Sequence, residues 1–378
     1  MHDMHDRRPR LERGFLFVHF LRDITNTISM KMECLRKLII RQPRPAGAPV
    51  LRRGSGRCAE LRKSCEQWEW KCEAAIRLLR IASILVMAAA AWFALQFWTG
   101  TIEGLAHWTP EYKKEDLSVI VEKGELTKED YDLIFRQTGL GRPAVDQLWK
   151  EGRQSEILTF QSDFFEEVEV RCQRFNLFVS GEKIVRQNST SLPTLAPLLP
   201  GDILITPNSH FFGWRNGHAA IVVEEPDSGW ALESVTLGVK SKLRRLEGWR
   251  SYPAFVVLRL GQREETGAGE GAADRSVGER AAAIAAEYFL GIPYRLTAGL
   301  WGEPWKLPDV DDEAEPAAGT QCAHLIWSCY RALGYDLDSD GGRLVTPRDL
   351  AGSPLLEVVQ IYGMDPEKFG PDFGEKSW

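Results

Sequence analysis

Cysteine is scarce in this chain of 378 residues: there are seven, no two of them at CxxC spacing. That excludes the disulfide framework of a small secreted scaffold. Four of them, Cys34, Cys58, Cys65 and Cys72, lie near the N-terminus, where the only histidines are His2, His5 and His19. Their spacings form no CxxC pair, and no metal site is expected. Long apolar runs are as rare. Only residues 81–98 form a charge-free stretch of membrane-spanning length. With 44% apolar and 26% charged residues, the chain is not compositionally disordered, and it is long enough for one or two domains with cores.

The net charge of -6 hides an asymmetry. Residues 1–80 hold 18 Lys+Arg against 9 Asp+Glu, a balance of +9, which leaves -15 for the remainder. The basic arm, residues 1–74, shows no sustained periodicity and reads as loop or disorder. Contact with nucleic acid would rest on this arm alone, and the apolar run that follows argues against it.

That run has Lys71, Arg77 and Arg80 just before it and Glu103, Glu111 and Asp116 after it. The positive-inside bias reads residues 75–99 as a single-pass transmembrane helix or signal anchor, with the N-terminus cytoplasmic and everything after about residue 100 outside. Trp92, Phe97, Trp98 and Trp108 suit an interfacial belt. A cleaved signal, for which 88–91 offer small residues, and a buried core helix are the rival readings.

Residues 110–190 read as a helical subdomain. Thr127 with Asp130 has the form of a capping box, residues 137–143 end that helix, and 144–151 begin another. Phe164, Phe165, Phe175 and Phe178 are expected to pack the subdomain onto a sheet. Residues 198–363 change character. Apolar runs at 203–205, 219–223, 230–234 and 254–260, separated by Pro-Gly-Asp and Pro-Asp-Ser-Gly turns, predict an antiparallel sheet. A Gly/Ala-rich flexible insertion at 263–275 precedes an amphipathic helix over 277–290. An acidic loop at 301–320 leads to a helix over 321–334, with Leu325, Ile326, Cys329 and Leu333 on one face. Thr346 caps a short helix, and 355–361 read as a last strand.

Three residue types in this region carry chemistry. Cys322 opens a helix, where unpaired backbone amides and the helix dipole favour a thiolate. His218 opens a strand after Gly217, and Glu233 lies on the next strand. A thiol, an imidazole and a carboxylate are the parts of an activated nucleophile. Cys329, two helical turns after Cys322, reads as a core residue. His324 lies two positions past Cys322 and points away from the thiol on a helix. His210, in the loop before His218, could line the cleft, and Tyr294 could touch substrate.

Taken in order, Pro200-Gly201-Asp202-Ile203-Leu204, Gly217-His218-Ala219-Ala220-Ile221-Val222, Leu232-Glu233-Ser234, Gly291-Ile292-Pro293-Tyr294, Cys322-Ala323-His324-Leu325-Ile326-Trp327 and Val345-Thr346-Pro347 resemble the papain-like amidases of the NlpC superfamily. The histidine precedes the cysteine by 104 residues, so the chain looks like the circularly permuted, YiiX-like branch, which includes relatives of lecithin retinol acyltransferase. The resemblance covers about 198–361. It implies an α+β, circularly permuted papain-like fold, with Cys322 as nucleophile, His218 as base and Glu233 as the group that orients the imidazole. It also implies amide substrates such as cell-wall peptides, cleaved through a thioester with no cofactor and no metal. Ala323 and His324 depart from the family's pattern, where Ser or Thr and then an acidic residue are expected. Phe211, Phe212 and Trp214 beside the site keep open a lipid acylhydrolase or acyltransferase. A binding module on an inactive scaffold is the reading outside enzymology.

Overall fold

The computed structural model describes residues 55–102, 107–176, 179–185, 192–211, 214–223, 229–261, 276–300, 305–308, 316–342 and 344–369. The chain divides into two units, Met1–Leu85 and Val86–Trp378. The apolar run lies in one long helix, α1 (Ser55–Ile102). Within it, Glu73–Leu95 has a mean hydropathy of 2.1 and is long and apolar enough to cross a membrane. The helix starts at Ser55, 26 residues before the apolar run at 81, so the second part of the expected disordered arm is helical. Alanine, leucine, lysine, arginine and glutamate are all strong helix formers, and they extend a helix well past its apolar part. The first 54 residues lie outside the described set.

In the second unit a single helical turn, α2 (Ser118–Val121), precedes α3 (Lys128–Thr138), α4 (Arg142–Lys150) and α5 (Ile157–Phe164). Thr127 and Asp130 close the expected capping box, and Gly139 ends α3 in the left-handed conformation at φ 72°. The helical region stops at Phe164, short of the expected boundary. Strands β1 (Glu169–Arg174) and β2 (Val179–Val185) follow and pair antiparallel. The surrounding sequence is too polar on β1 to show a buried-strand pattern, so partner strands decide its conformation. Phe164 and Phe165 do pack into the core, but Phe175 is 51% exposed, contrary to expectation. Phe178 lies outside the described residues.

The chain continues with β3 (Ile203–Thr206), β4 (Ser209–Phe211), β5 (Trp214–Arg215), β6 (His218–Val223), β7 (Trp230–Glu233), β8 (Lys242–Arg245) and β9 (Phe255–Leu260). Helices α6 (Val277–Tyr288), α7 (Cys322–Arg331) and α8 (Pro347–Gly352) and strand β10 (Leu356–Tyr362) complete it. Two antiparallel sheets result: a six-stranded one in the order β10-β9-β3-β6-β7-β8 and a four-stranded one in the order β1-β2-β4-β5. The protein is therefore mixed α+β. The insertion at 263–275 and most of the acidic loop lie outside the described residues.

The six-stranded sheet is buried on both faces, which explains why its central strands are continuous apolar runs rather than alternating ones. On one face Ile203, Ala219, Ile221, Leu232 and Val256 pack with α6 and α7. On the other, Leu204, Ala220, Val222, Ala231 and Val257 pack with Val145 and Leu148 of α4 and Phe160 of α5. The edge strand β8 is polar and partly exposed, as an unpaired edge should be.

The Pro-Gly-Asp turn has a structural task. Asp202, 1% exposed, receives Nε and Nη2 of Arg259, each at 2.7 Å, and the backbone N–H of Leu199 at 2.8 Å. This fork ties the turn before β3 to the neighbouring strand β9. Breaking a buried pair by deleting one partner strands the other charge. Asp202→Ala is expected to cost about 3–5 kcal/mol of stability, read as a lowered denaturant midpoint of the full chain, with Asp202→Asn losing less. A midpoint within experimental error of wild type would show that the pair is not holding the turn.

Candidate functional site

The sheet register places the first two side chains. Ala220 pairs with Glu233, so Glu233 lies diagonal to His218 on the same face, within reach of a long side chain. Glu233 Oε2 stands 3.0 Å from His218 Nε2, and both residues are buried at 2% and 3% exposure. Gly217, at φ 72°, turns the chain into β6. A side chain there would meet the carbonyl of Thr206 and the ring of Pro347, which keeps α8 close to the imidazole.

Cys322 arrives from the helical side. It is the first residue of α7, capped by Gln321, whose side-chain oxygen accepts from the N–H of Ala323. The same oxygen lies 3.5 Å from the Cys322 thiol, and the Gln321 amide donates to the carbonyl of Val345 at 2.6 Å. Gln321 thus fixes the start of α7 against the segment before α8. The thiol and the His218 imidazole line the same pocket, and the neighbouring Cys322 raises the imidazole. With Nε2 committed to Glu233, Nδ1 is the ring nitrogen left for sulfur. Cys322, His218 and Glu233, expected to converge, are side by side.

Burial would lower the proton affinity of His218. The hydrogen bonds to Cys322 and Glu233, and the negative charge of both, outweigh it and push the imidazole up to about 9. Burial also opposes ionisation of Glu233, but the His218 imidazolium and the nearby Arg244 and Lys242 hold the carboxyl below its usual range. Arg244 Nη1 is 3.4 Å from Glu233 Oε2.

Three contributors had no signal in the sequence. Trp249 stacks on the His218 ring, with centroids 5.4 Å apart and planes 13° from parallel, and so fixes the plane in which the imidazole can turn. Arg244 comes from the far edge of the sheet. Lys183 of β2 lies 3.1 Å from the centre of the Tyr252 ring, where burial first and Arg244 second lower its ammonium to about 7 against the pull of Glu233. Each is far in sequence from the motif it supports.

Cys322 and His218 open into one pocket, also lined by Tyr294, His210, Phe211 and Leu344. Tyr294 is half-buried, and burial together with the charge of Cys322 raises its phenol, which stays a donor. Phe212, and the side chain of Trp214, lie outside the described set. His210 is 1% exposed and reaches the pocket wall, but its closest partners belong to the four-stranded sheet. His324 turns away from the thiol as expected. Its Nδ1 meets Thr320 at 3.1 Å, and burial lowers it to about 4. Cys329 is fully buried core, where burial raises the thiol. No family model, curated protein or solved structure matches the chain.

The site yields a pH prediction. In the folded chain His218 binds its proton more tightly than an unfolded histidine at about 6.5. Its contribution to stability is therefore full below that value and fades as pH rises through about 9. Cys322→Ala removes a neighbour that raises the imidazole, so the His218 midpoint is expected to fall, read from imidazole carbon shifts across pH. An unmoved midpoint would mean that thiol and imidazole do not interact.

Proposed function

We propose that this chain is a membrane-anchored thiol hydrolase that cleaves amide bonds through Cys322, His218 and Glu233. The observation that carries the reading is the buried thiol–imidazole–carboxylate series opening into one pocket. Its mixed α+β frame, with an antiparallel sheet packed by helices, supports the permuted papain-like assignment that the motif order suggests.

The mechanism follows from the charges. His218 holds a proton at neutral pH, which leaves sulfur as the group to act as thiolate. The Cys322 thiolate adds to an amide carbonyl. The N–H of Cys322, without an intrahelical acceptor at the first position of α7, can receive the developing oxyanion, and the Tyr294 phenol is a second donor on the pocket wall. His218 gives its proton to the departing amine, and an acyl thioester remains. Water, relieved of a proton by His218, then attacks the thioester and frees the acid and the thiol. Glu233 and Trp249 keep the ring in position throughout. The chemistry requires no metal or organic cofactor.

The apolar segment of α1 is the anchor in this reading. Basic residues before it and acidic residues after it put the catalytic unit on the extracytoplasmic side, where cell-wall peptides would be substrates. The same anchor, with Phe211, Leu296 and Leu344 lining the pocket, favours a second reading in which the acyl group comes from a lipid ester.

The full chain in detergent is the material for the test. Iodoacetamide is expected to alkylate Cys322 at neutral pH, and His218→Ala to slow this at least about tenfold. Hydrolysis of short peptide amides is expected to fall by about 100-fold or more in the same variant. Turnover of acyl esters without turnover of amides would move the assignment to lipid substrates. A Cys322 indifferent to His218, with neither substrate consumed, would leave a binding module.

A further inference from the structure

Two loops beside the pocket carry cations and no carboxylate. Residues 234–246 and 288–300 hold Lys240, Lys242, Arg244, Arg245 and Arg295, without a single aspartate or glutamate, in a chain whose balance beyond residue 80 is -15. Arg244 turns inward to Glu233 and to the carbonyl of Gly248, whereas Lys240, Lys242 and Arg295 are exposed. Between these cations stand Leu237, Val239, Leu290 and Leu296, which are 37% to 46% exposed.

The loops are laced into one surface at Ser241. Its backbone N–H donates to the carbonyl of Ile292 at 2.8 Å, and its carbonyl receives the N–H of Gly291 at 3.0 Å. Its hydroxyl accepts from the N–H of Ile292 at 2.8 Å and donates to the carbonyl of Phe289. Lys240 and Pro293 form an antiparallel bridge alongside. The surface lies at the site end of the six-stranded sheet, because β7 ends at Glu233 beside His218. Val235, Tyr294 and Leu296 line the Cys322 pocket, so Leu296 belongs to both the pocket and the exposed patch.

We infer that these laced loops dock the second unit onto an anionic bilayer surface. Leu237, Val239, Leu290 and Leu296 enter the boundary between headgroups and acyl chains, and Lys240, Lys242 and Arg295 meet lipid phosphates. An isolated exposed leucine needs no partner, but four apolar side chains on two loops tied together form a patch that does. Cations without carboxylates select an anionic partner. A nucleic acid would use the cations and leave the apolar side chains in water, whereas a bilayer takes both, since lysine and arginine keep their charged ends at the headgroups while apolar neighbours sink past them. The apolar segment of α1 holds the chain at such a surface, so the inference rests on the membrane-anchor reading and is independent of the hydrolase reading. Docking by Leu296 brings the pocket to the membrane surface.

The test uses the full chain in nanodiscs of phosphatidylcholine and phosphatidylglycerol. A benzophenone side chain is placed at Leu237, Leu290 or Leu296, one position at a time, and lipid adducts are measured by mass spectrometry after illumination. The control position is Leu199, 42% exposed, in the turn that enters β3 at the end of the sheet away from His218. Adduct yields are expected to exceed that at Leu199 by at least about fivefold. They are expected to fall towards the control in discs of phosphatidylcholine alone, and in a chain carrying both Lys240→Glu and Arg295→Glu. Yields no higher than at Leu199 would overturn the docking surface, and so would yields indifferent to phosphatidylglycerol, a comparison that needs no charge variant. Adducts between two chains in place of lipid would overturn it in favour of a second copy. A chain that does not co-elute with the discs would instead refute the anchor reading, and the docking surface with it.

Discussion

The register of β6 against β7 is the constraint on which the site depends. Pairing Ala220 with Glu233 sets Glu233 diagonal to His218 on one face of the sheet. A slip of one residue would send the carboxylate to the opposite face and leave the imidazole buried without its partner. Burial on both faces resists that slip, because it would also exchange every apolar contact of β6. The same packing that stabilises the sheet therefore fixes the acid–base pair.

Desolvation and pairing work against each other throughout the molecule, and the outcome sorts the histidines. His218 and His210 are deeply buried, yet each faces a carboxylate that helps it hold its proton. His324 is buried to a similar extent, but its ring nitrogens face the hydroxyls of Thr320 and Ser328 rather than a carboxylate, and it stays neutral. One residue type thus takes two charge states according to what lies opposite. The thiols divide in the same way. Cys329 lies among core side chains, whereas Cys322 shares a pocket with an imidazole.

The thiols differ in their surroundings. Cys322 is the first residue of a buried helix, held by Gln321 and the segment before α8, and it faces a pocket. Cys172 stands exposed on a strand of the smaller sheet. The first setting limits water and can orient a carbonyl.

Much of this was legible in the chain. The central strands, the capping box at Thr127, the N-cap at Thr346, the thiol at a helix start and the apolar segment all follow from local patterns, because propensity, capping and periodicity act within a few residues. The extent of α1, the strands β1 and β2, and the exposure of Phe175 were not legible, because partner strands and a helix's own continuation decide them. Trp249, Arg244 and Lys183 gather around His218 and Glu233 from three separate elements, and no local spacing marks them. Cys172, Glu182 and His210 look unrelated in sequence until strand pairing aligns them. The sequence by itself determined which side chains could do chemistry and which segments would be helix or central strand. Only the tertiary structure decided which of those side chains meet and which of them carry charge, since both depend on register and burial, which contacts between distant residues create.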